Sequence, residues 1–435
     1  MNHYLNRAVP IVVTSVLHFM GTVFTLRAVS GTGIDNLAIL SLYAPIAYLV
    51  LAIQEGMRAP ALAMSARGTS FGNGERLSEI LSVICIIIVV VHIAVSGLSF
   101  LAFLLFQEIS NSSPYIDVFL FTSMMTIGAI PAAINGIVLV SLFGLNRSRA
   151  GMIIGTVEPL ILGVSVWLLC EYTGLGLYSL PLTAGFLGIA GTYICLEVLK
   201  RNDDIKLSLP SLAAIRSSKE LFQTTSLPTI LTFVVVGIVL YFINHLLSES
   251  GPIELAGFGV AWRIHSFLMV PAFAIGTATA IAVNSAWQSS EFESAKKNVV
   301  IGVLVIVGLY TVVSYLLYSF SHELGYALTG SEDVGDVVAQ FFGSVGMVYP
   351  IFCACLMVMA VMEQSGLGPL AFMFNLVAGI LQILSIYMAF NLYGTSQAMF
   401  IALAGCQLVA GLVVVGWALI SKWSDDPIGE FSHAR

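Results

Sequence analysis

Apolar runs long enough to cross a hydrocarbon core, about 20 residues each, alternate along this chain with short polar stretches. Twelve can be marked, near residues 8–30, 37–66, 77–106, 115–144, 150–172, 180–199, 221–247, 255–287, 297–321, 335–364, 368–391 and 395–421. Each predicts a membrane-crossing helix, because a helix satisfies its own backbone polar groups where no water is at hand. No charged segment with a short apolar core and a small-residue cleavage site precedes the first run, so that run is expected to stay as a span.

The polar positions inside these runs repeat. Residues 37–76 and 255–297 align at an offset of 218 to 220, with Leu37 on Leu255 (255 less 37 is 218), Gly56 on Gly276 (276 less 56 is 220), Ser65 on Ser285 and Arg76 on Lys296. Pro10, Thr14, Ser30 and Gly33 fall on Pro228, Thr232, Ser248 and Gly251, and Pro131 falls on Pro350. That period is half the chain, too long for a solenoid; two similar halves in the same order are one way secondary transporters are built. The expected organisation is a six-helix lobe over 1–200, a cytoplasmic linker over 201–220, a second six-helix lobe over 221–421 and a tail over 422–435.

Composition agrees with the pattern. Of 435 residues, 58% are hydrophobic and 9% charged, which excludes a water-soluble globular domain. The basic residues set an orientation, since Lys and Arg accumulate on the cytoplasmic side. With both termini in the cytoplasm, Arg7, Arg67, Arg76, Arg147, Arg149, Lys200, Arg201, Lys296, Lys297 and Lys422 all fall on that side, while the outer loops carry acids such as Asp35, Glu108, Asp117, Glu171 and Glu332. The six cysteines lie in or at the ends of apolar runs, where they act as small hydrophobes. No metal set is expected.

The second run with its flank, PIAYLVLAIQEGMRAPALAMSARGTSFGNGERLSE, the eighth, LAGFGVAWRIHSFLMVPAFAIGTATAIAVNSAWQSSEFESAKK, and the GLNRSRAG turn after the fourth together resemble the multidrug and toxic compound extrusion (MATE) transporters. The resemblance runs from about Pro10 to Ser421 and is most specific at Arg263 and the Pro271 to Gly276 segment. It implies a V-shaped pair of lobes around a central cavity, and export of small molecules in exchange for inward H⁺ or Na⁺. Two family features are missing. The position of the family's first-helix Asp is Thr25, and that of its seventh-helix Glu is Val236. The coupling group must therefore be sought elsewhere in this chain.

A charged side chain retained in hydrocarbon normally faces a cavity or a partner. His18, Glu55 and Glu158 lie at a common depth of roughly 12 to 17 Å from one face, counting 1.5 Å per residue. All three are in the first half, and the matching positions Val236 and Ile275 of the second half are apolar. They are the cation-coupling candidates, since a carboxyl favours its neutral form out of water and so can take up and release a proton. Competing roles are plain: Glu55 and Arg58 at i and i+3 can simply neutralise each other, and His18 can be a satisfied interior histidine. Glu158 stands before Pro159, whose ring frees a backbone carbonyl that only a protonated carboxyl can serve.

Thr25, Arg27, Arg58, Arg263, His265, Glu363, Met357 and Met359 are candidates for a substrate cavity, the methionines as an adaptable wall. Pro131 and Pro350, being repeat-related, predict matching bends in the fourth and tenth helices. The reading is a proton-coupled exporter of small organic molecules in a bacterial inner membrane, acting as a monomer in the bilayer, with no nucleic-acid partner and no cofactor besides the coupling ion. A sodium-coupled exporter and a lipid-linked precursor flippase are the alternatives within transport. A membrane-embedded enzyme would need a clustered nucleophile or metal set, and an ATP-driven pump a phosphate-binding loop; the chain shows neither.

Overall fold

The computed structural model describes residues 34–68, 74–109, 114–203, 221–329 and 331–421, together with Leu17, Ala28, Pro210, Ser211, Ile215, Ser218, Lys219 and Trp423. His18, Thr25 and Arg27, most of the first expected span and of the linker, and nearly all of the tail lie outside the described residues.

Among the described residues every regular element is helical. In order they are α1 (Ile34–Gly68), α2 (Gly74–Ile109), α3 (Pro114–Gly144), α4 (Ser148–Thr173), α5 (Ser179–Asp203), α6 (Leu227–Ser250), α7 (Pro252–Gln288), α8 (Phe292–Thr329), α9 (Glu332–Ser344), α10 (Tyr349–Gln364), α11 (Gly368–Tyr393) and α12 (Ser396–Ile420). A π-helical turn, Phe222–Ser226, runs directly into α6. Ten segments among the described residues are long and apolar enough to cross a membrane. Their outward faces are apolar too: Leu98, Phe186, Leu392 and Ile420 are 69%, 69%, 72% and 82% exposed. Large hydrophobics left open in this number suit contact with acyl chains rather than water.

Helix boundaries carry the repeat read from the sequence. The starts of α1 and α7 differ by 218 (252 less 34) and their ends by 220 (288 less 68). The pairs α2 with α8, α3 with α9 plus α10, and α4 with α11 keep the same two offsets. The turns match in detail. The Arg147 N–H donates to the Leu142 carbonyl and the Leu367 N–H to the Met362 carbonyl, both at 2.8 Å and 220 residues apart. Between them Asn146 (φ 61°) and Gly366 (φ 90°) take the left-handed conformation, the helix ending that Gly and Asn tolerate. Gly174 and Gly394 cap α4 and α11 with φ of 67° and 66°.

The chain divides into two compact units, Met1–Ile230 and Leu231–Arg435, so the division falls inside α6. In the first, α3 is the hub, packed on α1, α2, α4 and α5. In the second, α10 is packed on α7, α8, α11 and α12. The second unit also closes on its own end: the Trp287 indole N–H donates to the Trp423 carbonyl, and the Trp423 indole N–H to the Ala418 carbonyl, both at 2.9 Å.

Pro131 and Pro350, the repeat-related prolines, stand in different settings. Pro131 lies within the unbroken α3. Pro350 instead stands in the first turn of α10, after the chain has broken into α9 and a 3₁₀ turn, Gly346–Val348. The reason is local. A proline ring removes one N–H and crowds the carbonyl a turn earlier; in the second unit the chain leaves the helix there, and the Ser314 hydroxyl donates to the Gly346 carbonyl at 2.7 Å. Proline at the first helical turn then costs nothing, since that N–H is unpaired in any helix.

Candidate functional site

The first unit gathers three of the sequence candidates into one polar cluster. On α1, Glu55 and Arg58 are three residues apart on the same helix face, and the Arg58 guanidinium meets the Glu55 carboxylate at 2.5 Å, with side-chain exposures of 33% and 29%. Arg58 reaches across to α3, where it lies over Gly136; a Cβ at that position would run into the guanidinium. Its Nε is buried with no hydrogen-bond acceptor. Here glycine serves close approach rather than a turn.

Glu158 on α4 completes the cluster. The Asn135 amide, 2% exposed on α3, donates to Glu158 Oε2 at 2.5 Å, and the Cys195 thiol of α5 donates to Asn135 Oδ1 at 3.4 Å. With its oxygen taken by Cys195, the amide presents N–H to Glu158. Glu158 also lies within electrostatic reach of Arg58. One cation thus serves two carboxylates. With both ionised the cluster has a formal charge of −1, and one proton brings it to zero.

One polar residue of the first unit was not among the sequence candidates. His92 of α2, 1% exposed, donates Nδ1–H to the Ile88 carbonyl at 2.8 Å, so its Nε2 accepts from the Gln54 amide at 3.2 Å. The two bonds fix a neutral imidazole in one tautomer, and Gln54 precedes Glu55 in the chain. The signal was present, a lone histidine inside IIIVVVHIAV. Asn135 gave less of one, being uncharged and so outside a search for ionisable groups. The π-helical turn Phe222–Ser226 packs against α1 as well.

The remaining described candidates belong to the second unit. Arg263 is exposed on α7. His265 is 4% exposed: its Nδ1 is 2.7 Å from the Tyr349 hydroxyl, and its ring stacks on Trp262 (4.8 Å) and Phe352 (5.9 Å). Met357 and Met359 are 0% and 8% exposed and Glu363 is 9%. At the end of α7, the Asn284 amide donates to the Gln364 carbonyl at 3.0 Å, while the Gln364 amide donates to the Thr277 hydroxyl at 3.3 Å. These links are neutral; farther along the same unit His322 of α8 meets Asp336 of α9 at 3.4 Å.

Residues 228–388 match the MatE family model. The rabbit (Oryctolagus cuniculus) multidrug and toxin extrusion protein 2 is 27% identical over 118 residues, 27% of this chain and 18% of that protein's length. Among solved structures, a MATE transporter in complex with MaL6 superposes with a TM-score of 0.85 at 17% identity, covering 95% of each chain. A MOP superfamily transporter from Pyrococcus furiosus, described as having a binding pocket of reversed polarity, gives 0.84 at 17% identity over 95% of this chain and 94% of that one. An outward-facing multidrug resistance MATE transporter gives 0.83 at 16% identity, with the same coverage.

Proposed function

We propose that this MATE-family transporter is a secondary active exporter of small organic molecules, which moves substrate out by alternating access of its two lobes while H⁺ moves in. The coupling groups in this reading are Glu55, Glu158 and His18. The observation that carries it is one guanidinium shared electrostatically by two carboxylates, with Arg58 paired to Glu55 at 2.5 Å and acting on Glu158 at longer range. A proton on Glu158 changes the charge of the cluster, and the strength of the Arg58 to Glu55 pair with it.

The choice of H⁺ over Na⁺ rests on Asn135. A sodium ion needs oxygen ligands, whereas this amide turns its N–H toward Glu158. Thr25, Arg27, Arg58, Arg263, His265, Glu363, Met357 and Met359 remain the proposed substrate-facing set, and a bacterial inner membrane the proposed location. The reading is tested by purified protein in liposomes given a pH gradient and, separately, a sodium gradient. Accumulation of an organic substrate is expected with the pH gradient alone; accumulation driven only by sodium overturns the proton assignment.

A further inference from the structure

A groove of about 600 Å³ lies open on the first unit, between α2, α3 and the start of α5. It is well away in sequence from Glu55, Arg58 and Glu158, and no step proposed above uses it. Small residues give it depth: Gly97 has nothing within 4 Å of where a Cβ would stand, and Ser96 and Ser123 lie beneath. Their hydroxyls are already satisfied, since Ser96 Oγ is 2.9 Å from Ser123 Oγ and donates to the Ser123 carbonyl at 3.0 Å. The floor therefore offers no free polar group. The walls are apolar and open, with Phe100, Ile127 and Leu182 45%, 55% and 44% exposed.

Position decides what fills such a groove. Its walls belong to three membrane-crossing segments, 77–107, 117–144 and 176–201, so its surroundings are hydrocarbon. From Ile93 to Phe100 along α2 it is about 10 Å long at 1.5 Å per residue, most of the depth of one leaflet of a hydrocarbon core about 30 Å thick. Water there would meet no partner, and an acyl chain fits both the chemistry and the length.

One end of the groove is polar. Tyr178 lines it and lies within electrostatic reach of Asp117, an exposed carboxylate one turn before the lining residue Leu120 on α3. Tyrosine is at home at the membrane-water boundary. The segments around that end, 105–120 and 171–182, contain Glu108, Asp117 and Glu171 but no Lys or Arg. A lipid with only an anionic headgroup would find no cation here, while a primary ammonium would find a carboxylate.

We infer that this groove is a lipid site, holding one acyl chain of a phosphatidylethanolamine molecule whose ammonium group pairs with Asp117. The full-length protein, stripped of bulk lipid and exposed to equal phosphatidylethanolamine and phosphatidylglycerol, is examined by native mass spectrometry. The wild-type protein is expected to retain one phosphatidylethanolamine. Gly97→Phe, whose new ring has open space to enter, is expected to lose it by filling the groove, and Leu182→Ala to weaken it by the opposite change, removal of a wall. Asp117→Asn is expected to lower the preference for phosphatidylethanolamine about threefold, the scale of one exposed ion pair. Thermal melting confirms that each variant is folded. Equal retention by wild type and Gly97→Phe overturns the site, and a preference for phosphatidylglycerol, or none that Asp117→Asn alters, overturns its headgroup.

Discussion

Arg58 neutralises one carboxylate directly and a second at longer range, and that double duty sets what its removal does. Arg58→Met leaves Glu55 and Glu158 without a cation between them. Because both members of the Arg58 to Glu55 pair keep about a third of their surface exposed, the expected loss is about 1 to 2 kcal/mol, below the roughly 3 to 5 kcal/mol of a fully buried pair. Adding Glu55→Met should restore part of it, and thermal melting of single and double variants checks both values. Gly136→Val drives the guanidinium off α3 without touching any charge. Both Gly136→Val and Arg58→Met are expected to lose pH-driven transport, measured in the same liposomes. At this scale the sequence was a good guide to charges and a poor one to their neutral partners. Glu55, Arg58 and Glu158 stood out because charge in an apolar run is costly. Asn135, Gln54 and Gly136 did not, because their roles depend on which residue of another helix they face.

At the scale of elements, paired helices of the repeat agree in length to within two residues but differ in continuity. The repeat-related prolines have two uses, one inside α3 and one in the first turn of α10. Sequence spacing reports where a ring sits, while the path of the chain depends on whether neighbours satisfy the carbonyls it frees. Ser314 does this for Gly346. Ser314→Ala leaves a carbonyl in a buried setting without its donor, which should cost about 1 to 3 kcal/mol and lower the melting temperature. Pro131→Ala gives back a backbone N–H to a helix that is already continuous, and should leave the melting temperature unchanged or higher. The opposite ranking would mean that the break before α10 does not rely on Ser314. Turn geometry, by contrast, was legible: Asn146 and Gly366 end their helices in the same conformation at the expected offset.

For the molecule as a whole, duplication supplies the architecture and divergence supplies the chemistry. The first unit holds a charged cluster on α1, α3 and α4; in the second unit, α7 and α10 carry the neutral links of Asn284, Gln364 and Thr277. An exporter that couples two fluxes needs a group whose charge changes with the driving ion, and in this account that group is in the first unit. The fold was legible because length and hydropathy alone decide which segments can cross a membrane. Burial was not, since His265, Met357 and Met359 are 4%, 0% and 8% exposed, a property that no spacing along a helix reveals.

The most direct test is one variant in two assays. Glu158→Gln in liposomes is expected to abolish substrate accumulation driven by a pH gradient while leaving substrate-for-substrate exchange, which needs no proton, intact. Undiminished pH-driven accumulation by folded Glu158→Gln protein would contradict the account.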